Sequence, residues 1–145
     1  MINDNIGGAI LFGMELTDYC ADLTYDFLDD KPWSSLAKLE DHILAMLGDL
    51  GDEYVVDNNI AIHRSATVED SATIKAPAII GANCFVGPHS LLRGGVILGE
   101  DSKIGPGCEV KCALIGKRTA LAHFNFVGDS IIGSDVNLEA GAVLA

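Results

Sequence analysis

Three cations, Lys75, Arg93 and Lys111, stand 18 residues apart in a chain of 145 that carries only 9 Lys and Arg against 21 Asp and Glu. On a scaffold of matching period they would stack. Stacked like charges repel unless solvent screens them or an anion engages them. A phosphate or pyrophosphate bridging Arg93 and Lys111 would do so, with the guanidinium offering a bidentate fork. Lys75 is then peripheral. The plainer alternative is a set of solvated charges with Glu69, Asp70 or Glu109 nearby. Two further side chains have chemistry to offer. His123, in "LAHFNFVGDS", has the ring for a general base near neutral pH, or it is a packed or interface histidine. Asn137, in "SDVNLEAG", can donate to a ligand carbonyl, hold His123 in place, or form a ladder or turn.

The scaffold is visible in the period. From Ile62 an aliphatic returns every sixth residue, as Val68, Ile74, Ile80, Val86, Leu92, Leu98, Ile104 and Val110. Two residues before each of these from Val68 on stands Ala66, Ala72, Ala78, Cys84, Ser90, Val96, Ser102 or Cys108, all but Val96 very small. A six-residue unit is too short for a helical repeat and suits a short strand and a tight turn, with the aliphatic inward and the small residue at a crowded corner. The pattern resembles the hexapeptide repeat of the left-handed parallel β-helix, in which three hexads make one triangular coil. The resemblance implies the handedness, an exception to the usual crossover rule. Residues 18 apart then lie one above another at about 4.8 Å, and Lys75, Arg93 and Lys111 form one outward column. After Val110 the inward candidates are Ile115, Leu121, Val127, Ile132, Leu138 and Leu144. The steps from 110 to 115 and from 127 to 132 are one residue short. A bulge or loop leaving the prism within "KRTALAHFNFVGD" is the expected consequence.

Residues 1–56 read differently, as an acidic helical segment before a β-helix domain over 57–145. In "KPWSSLAKLEDHILAMLGDLG", Leu36, Leu39, Ile43, Leu44 and Leu47 share a helical face, Pro32 suits the first turn and Gly48 the C-terminal cap. An earlier helix is expected through "MELTDYCADLTYDFL". Tyr19, Tyr25, Phe27 and Trp33 read as packing residues. Residues 1–59 hold 13 acids and 2 Lys, and residues 60–145 hold 8 acids and 7 Lys or Arg. The excess of acid argues against nucleic acid, whose phosphates need a basic patch. No apolar run is long enough for a membrane span and the N-terminus lacks a cationic signal region, so the cytoplasm is the expected location. Cys20, Cys84, Cys108 and Cys112 form no C-x-x-C pair and are expected as reduced thiols, two or three of them in the core.

The run "SLLRGG…CEVKCALIGK…AHFNFVGDSIIGSDVNLEAGAVLA" resembles the C-terminal acetyltransferase domain of the bifunctional N-acetylglucosamine-1-phosphate uridyltransferase/glucosamine-1-phosphate acetyltransferase family. Sugar-1-phosphate nucleotidyltransferases carry similar tails. The chain also looks like short UDP-N-acetylglucosamine pyrophosphorylase-related proteins that pair a "PW" helical segment with such a β-helix. The resemblance implies that Arg93 and Lys111 bind a sugar phosphate, and that His123 deprotonates the sugar amine for attack on acetyl-CoA. It implies that Phe126 and Asn137 contact substrate, and that three parallel chains form sites between neighbours. Phe126 stands where the family has a Tyr, and Glu139 where it has a Gly. The chain reaches Ala145 before the coils that hold coenzyme A, which suggests a longer parent chain. Residues 1–59 are too few for a nucleotide-binding domain, so nucleotidyl transfer is not expected of it. Two functions stay open: an acetyl-CoA-dependent acyltransferase on an amino-sugar phosphate or nucleotide sugar, and a non-catalytic trimeric sugar-phosphate-binding or scaffold protein. A zinc site is disfavoured, because His63, His89 and His123 are spaced 26 and 34 apart, neither a multiple of 18.

Overall fold

A computed structural model describes residues 23, 25–28 and 31–145. From residue 60 the chain winds as a parallel β-helix of three faces. Three inward columns fill it. Ile62, Ile80, Leu98, Ile115 and Ile132 are successive register partners on one face. Val68, Val86, Ile104, Leu121 and Leu138 are partners on the second, and Ile74, Leu92, Val110, Val127 and Leu144 on the third. Their middle members are wholly buried. The expected mainly β helix with a helical segment before it is therefore the fold. We call the face of Val68 the first, that of Ile74 the second and that of Ile80 the third.

The small residues sit at the corners because their side chains tie one coil to the next. The Ser90 hydroxyl donates to Gly105 O at 2.9 Å, that of Ser102 to Gly116 O at 2.7 Å, and that of Thr119 to Gly133 O at 2.8 Å. Cys84 Sγ makes the same reach to Gly99 O, at 3.0 Å. Larger side chains would need the space of the neighbouring backbone, and each donor offsets the burial of a carbonyl. Cys84 and Cys108 are buried and Cys112 half-buried, all as free thiols, while Cys20 lies outside the described residues.

The short steps after Val110 have a different cause from the one expected. No loop leaves the prism: the chain runs through buried Thr119 into a regular strand, Ala120–Leu121. The corner between the second and third faces is instead tightened. Strand Leu91–Leu98 turns it with Gly94 and Gly95, at φ +67° and +84°. In the next two coils single residues suffice, Cys112 at φ 46° and Asp129 at φ 47°. The register accordingly pairs Arg93 with Lys111 but Val96 with Ala113. Glycine adopts this conformation at both positions without the strain a side chain would suffer, and at Gly95 a Cβ would also come 3.1 Å from Glu40 Cγ.

The N-terminal region has its own cause for order. Helix α1, Pro32–Ala37, and helix α2, Leu39–Met46, are separated at Lys38 (φ −116°, ψ 13°), and a 3₁₀ turn, Leu47–Asp49, follows. The break restarts the helical phase. Leu39 and Ile43 are buried and Leu36 and Leu47 half-buried, but Leu44 is 45% exposed, contrary to the single-face expectation. Gly48 lies inside the 3₁₀ turn rather than capping the helix. The helix expected over residues 14–28 falls mostly outside the described residues; its described end, 25–28, is a turn closed by Leu28 N–H donating to Tyr25 O at 3.0 Å.

These helices lie on the third face. Its outward residues, Ala61, Ile79, Ile97, Leu114 and Ile131, form an apolar column that packs with Leu23, Leu39 and Ile43. The third face is thus buried on both sides. The start of the β-helix is covered differently: β1, Tyr54–Asp57, pairs antiparallel with β2, Ile60–His63, through a turn at Asn58 and Asn59, both left-handed. The expected division between residues 56 and 57 falls inside β1. No helix among the described residues is long and apolar enough to cross a membrane.

Candidate functional site

The second face carries the cations. Arg93 and Lys111 are direct register partners on adjacent strands, and Lys75 N–H donates to Leu92 O one coil earlier. The three cations therefore follow one another along the outward edge, at the coil spacing of about 4.8 Å. They are not bare. Arg93 Nε and Nη2 both reach Glu109 Oε1, at 2.8 Å and 2.6 Å. Lys111 Nζ donates to Asp129 Oδ2 at 2.8 Å. Carboxylates thus alternate with the cations and relieve the repulsion the bare column would suffer. Both pairs stand in solvent, with the Arg93 and Lys111 side chains 38% and 37% exposed. Each such pair contributes under about 1 kcal/mol to folding.

The hydrogen bond from Lys111 holds the Asp129 carboxyl below its ordinary range, against a small opposing effect of burial. A carboxyl lowered in the folded state adds stability above its unfolded pKa, about 3.9, and loses it as pH falls through the folded value. The expected result with Asp129→Asn, which keeps the left-handed backbone, is a slightly lower urea midpoint than wild type at pH 7. The two midpoints should converge in strong acid. A gap that stays constant down to pH 2 would assign the effect to packing instead.

Phe126 shares the second face. It is the register partner of Glu109, and its ring lies over Gly128, where a Cβ would come within 2.9 Å of it. Asn137 is elsewhere: it pairs with Ala120 on the first face, and its Nδ2 donates to Glu139 Oε1 at 2.6 Å. His123 occupies the corner between these faces. It is exposed, its carbonyl accepts from Gly141 N–H at 2.9 Å, and its ring meets Phe124 edge-on with centroids 6.4 Å apart. Among the described residues no hydrogen bond joins the Arg93–Lys111–Phe126 group to His123 or to the Asn137–Glu139 pair. One chain therefore places the two groups on adjacent faces with His123 at the corner between them.

Two residues that sequence reasoning passed over support this edge. Asp129 engages Lys111, and Asn125, only 2% exposed, ties the corner to the last coil. Its Oδ1 accepts from Ala142 N–H at 2.8 Å and its Nδ2 donates to Leu138 O at 3.2 Å. Asn125 stands at the small-residue position of its coil, where an amide is the signal for a side-chain bridge between coils.

A three-faced parallel β-helix with hexad columns and an outward cation ladder defines a hexapeptide-repeat protein. More narrowly, the chain belongs to the GMPPB C-terminal domain family, whose model matches residues 56–145. It is 34% identical over 139 residues to the "Bifunctional protein GlmU" of Methanococcus vannielii, covering 93% of this chain and 32% of that protein. It is 52% identical over 65 residues to the protein of the same name from Leifsonia xyli subsp. xyli, covering 45% and 13%. It is 35% identical over 120 residues to the "Bifunctional sugar-1-phosphate nucleotidylyltransferase/acetyltransferase" of Sulfurisphaera tokodaii, covering 79% and 30%. The chain spans no more than a third of the length of these relatives.

Proposed function

We propose that this β-helix binds the phosphate of a sugar phosphate or nucleotide sugar between Arg93 and Lys111 and serves acetyl transfer from acetyl-CoA to the sugar amine. The observation that carries the reading is the register pairing of Arg93 with Lys111 on an open face. Relatives named for sugar-1-phosphate and acetyl chemistry support it. On binding, the phosphate replaces Glu109 and Asp129 as the partner of the two cations. His123 takes the proton of the attacking amine; the nitrogen–acyl bond forms, the carbon–sulfur bond breaks, and the proton passes to the departing coenzyme A thiolate. Because Asn137 lies on a different face from the cations, with His123 at the corner between the two, a second copy of the chain completes the site by bringing its first face against the second face of its neighbour. Three such contacts close a trimer.

Calorimetry with glucosamine-1-phosphate and with UDP-N-acetylglucosamine tests the binding. Arg93→Ala and Lys111→Ala are each expected to weaken it by roughly tenfold or more, since hydrogen bonds to charged groups are worth about 1.5–3 kcal/mol. Absence of binding to wild type would overturn the reading. Thiol release from acetyl-CoA, with His123→Ala as control, tests the transfer. A second reading, sugar-phosphate binding without catalysis, has a specific observation behind it: Glu139 already holds the Asn137 amide, and Phe126 has no hydroxyl. Tight binding with no thiol release would select it.

A further inference from the structure

Neither the fold nor the hydrogen bonds of the site account for Phe124. Its backbone is left-handed, at φ 54°. Of the ten described non-glycine residues in that conformation, six are Asn or Asp, whose short polar side chains tolerate it. Phe124 alone among them has a side chain of hydrocarbon only, and for a bulky residue the conformation is strained. Burial does not offset the strain, since the residue is 72% exposed. The corner nonetheless makes room for its ring. Gly107, in the coil before, is left-handed at φ +65°, and a Cβ there would come 2.7 Å from Phe124 Cδ1.

The position of the ring indicates what it meets. It stands edge-on to His123, with centroids 6.4 Å apart, and both residues are exposed. Beyond it, the next outward positions of the coil are Phe126 and Gly128. The Phe126 ring lies over Gly128, and Gly128 is the register partner of Lys111. An uncharged strip of two phenyl rings thus runs from the imidazole to the cation ladder. A ligand with its phosphate on the ladder and its amine at His123 lays the atoms between them along this strip. In an amino-sugar phosphate those atoms are the sugar ring, which offers an apolar C–H face to an aromatic one. We propose that Phe124 is a specificity-determining residue that stacks on the C–H face of the substrate's sugar ring beside His123. This rests on the sugar-phosphate reading of the ladder and adds to it a residue that recognises the ring rather than the charge.

The test is calorimetry with glucosamine-1-phosphate on wild type, Phe124→Asn and Phe124→Tyr, with the urea midpoint and the sedimentation coefficient of each. Asn suits the left-handed backbone, so Phe124→Asn should be no less stable than wild type. It is nonetheless expected to weaken glucosamine-1-phosphate by roughly fivefold, the loss of one aromatic contact. Phe124→Tyr keeps the ring and should bind as wild type does. If wild type does not bind glucosamine-1-phosphate, the reading of the ladder falls and the role of Phe124 with it. If wild type binds and Phe124→Asn binds equally well, or Phe124→Tyr binds no better than Phe124→Asn, the role of Phe124 alone is overturned. A weaker affinity accompanied by a lower midpoint or an altered sedimentation coefficient would assign Phe124 to folding or to a contact between copies, and would overturn it as well.

Discussion

Ile97→Asp is expected to release the N-terminal helices from the β-helix while leaving the coils wound. Ile97 is 1% exposed and points outward from the third face into the cluster of Leu23, Leu39 and Ile43, with Leu114 above it and Ile79 below. Its chain neighbours Val96 and Leu98 point the other way, into the prism. The substitution removes a buried aliphatic worth about 1.5–3 kcal/mol and puts in its place a carboxylate with no cation among its packing partners. An unpaired buried charge costs several kcal/mol more. The chain avoids that cost most simply by letting α1 and α2 lift away, because only the outward side of the sheet is affected. Limited trypsin digestion should then cut readily after Lys38, and the urea midpoint should fall. Ile97→Ala, which leaves a cavity and no charge, should cost about 2–5 kcal/mol and keep the helices docked. An Ile97→Asp protein as resistant to trypsin as wild type would show that the helices are held by something other than this column.

The docking face was open to inspection in the sequence, though not through the six-residue period alone. That period marks the inward residues because each must fill the same triangular cross-section, and the register columns of Ile80, Val86 and Leu92 follow it. The third face differs from the other two in reading as unbroken apolar runs, "IAI", "AII", "VIL" and "ALI". Runs of that kind belong to strands covered on both sides. The break at Lys38 carries no such signal, since neither Gly nor Pro stands there, and it is the packing of Leu39 and Ile43 that sets the phase of α2. At the candidate site, the spacing of 18 fixed Arg93 and Lys111 as neighbours. The carboxylates were harder to place. Glu109 follows from alternation along its strand, but Asp129 reaches Lys111 only because the corner between the second and third faces has lost a residue, so that Asp129 follows the register partner of Lys111 directly. A period of six assigns Asn137 to the first face and Arg93 to the second. It says nothing of how a second chain would bring them together, which is a property of surfaces rather than of spacing.

Asn125→Leu is expected to destabilise the end of the β-helix and to loosen the corner that carries His123. The two side chains are of similar size, so the change is chiefly one of hydrogen bonding. Ala142 N–H keeps only its longer bond to Glu139 O, at 3.3 Å, and Leu138 O keeps only the Ala122 N–H. Each lost side-chain bond is worth about 0.5–1.5 kcal/mol. Asn125→Asp should be the milder change, because one oxygen still accepts from Ala142. Hydrogen exchange at the Ala142 amide reads the local effect directly, and the urea midpoint reads the global one. The consequence for chemistry follows from position. His123 and Phe124 precede Asn125 immediately, and the backbone bonds from Gly141 N–H to His123 O, Phe126 N–H to Ala142 O and Ala122 N–H to Leu138 O also tie this corner to the last coil. With Asn125 replaced, only those backbone bonds position the residue that carries the imidazole, whereas Arg93 and Lys111 remain paired across strands the substitution does not touch. If His123 is the base, acetyl transfer falls while sugar-phosphate affinity stays near wild type. A variant with unchanged Ala142 exchange and an unchanged midpoint would mean that solvent satisfies both groups, and Asn125 would then have no positioning role.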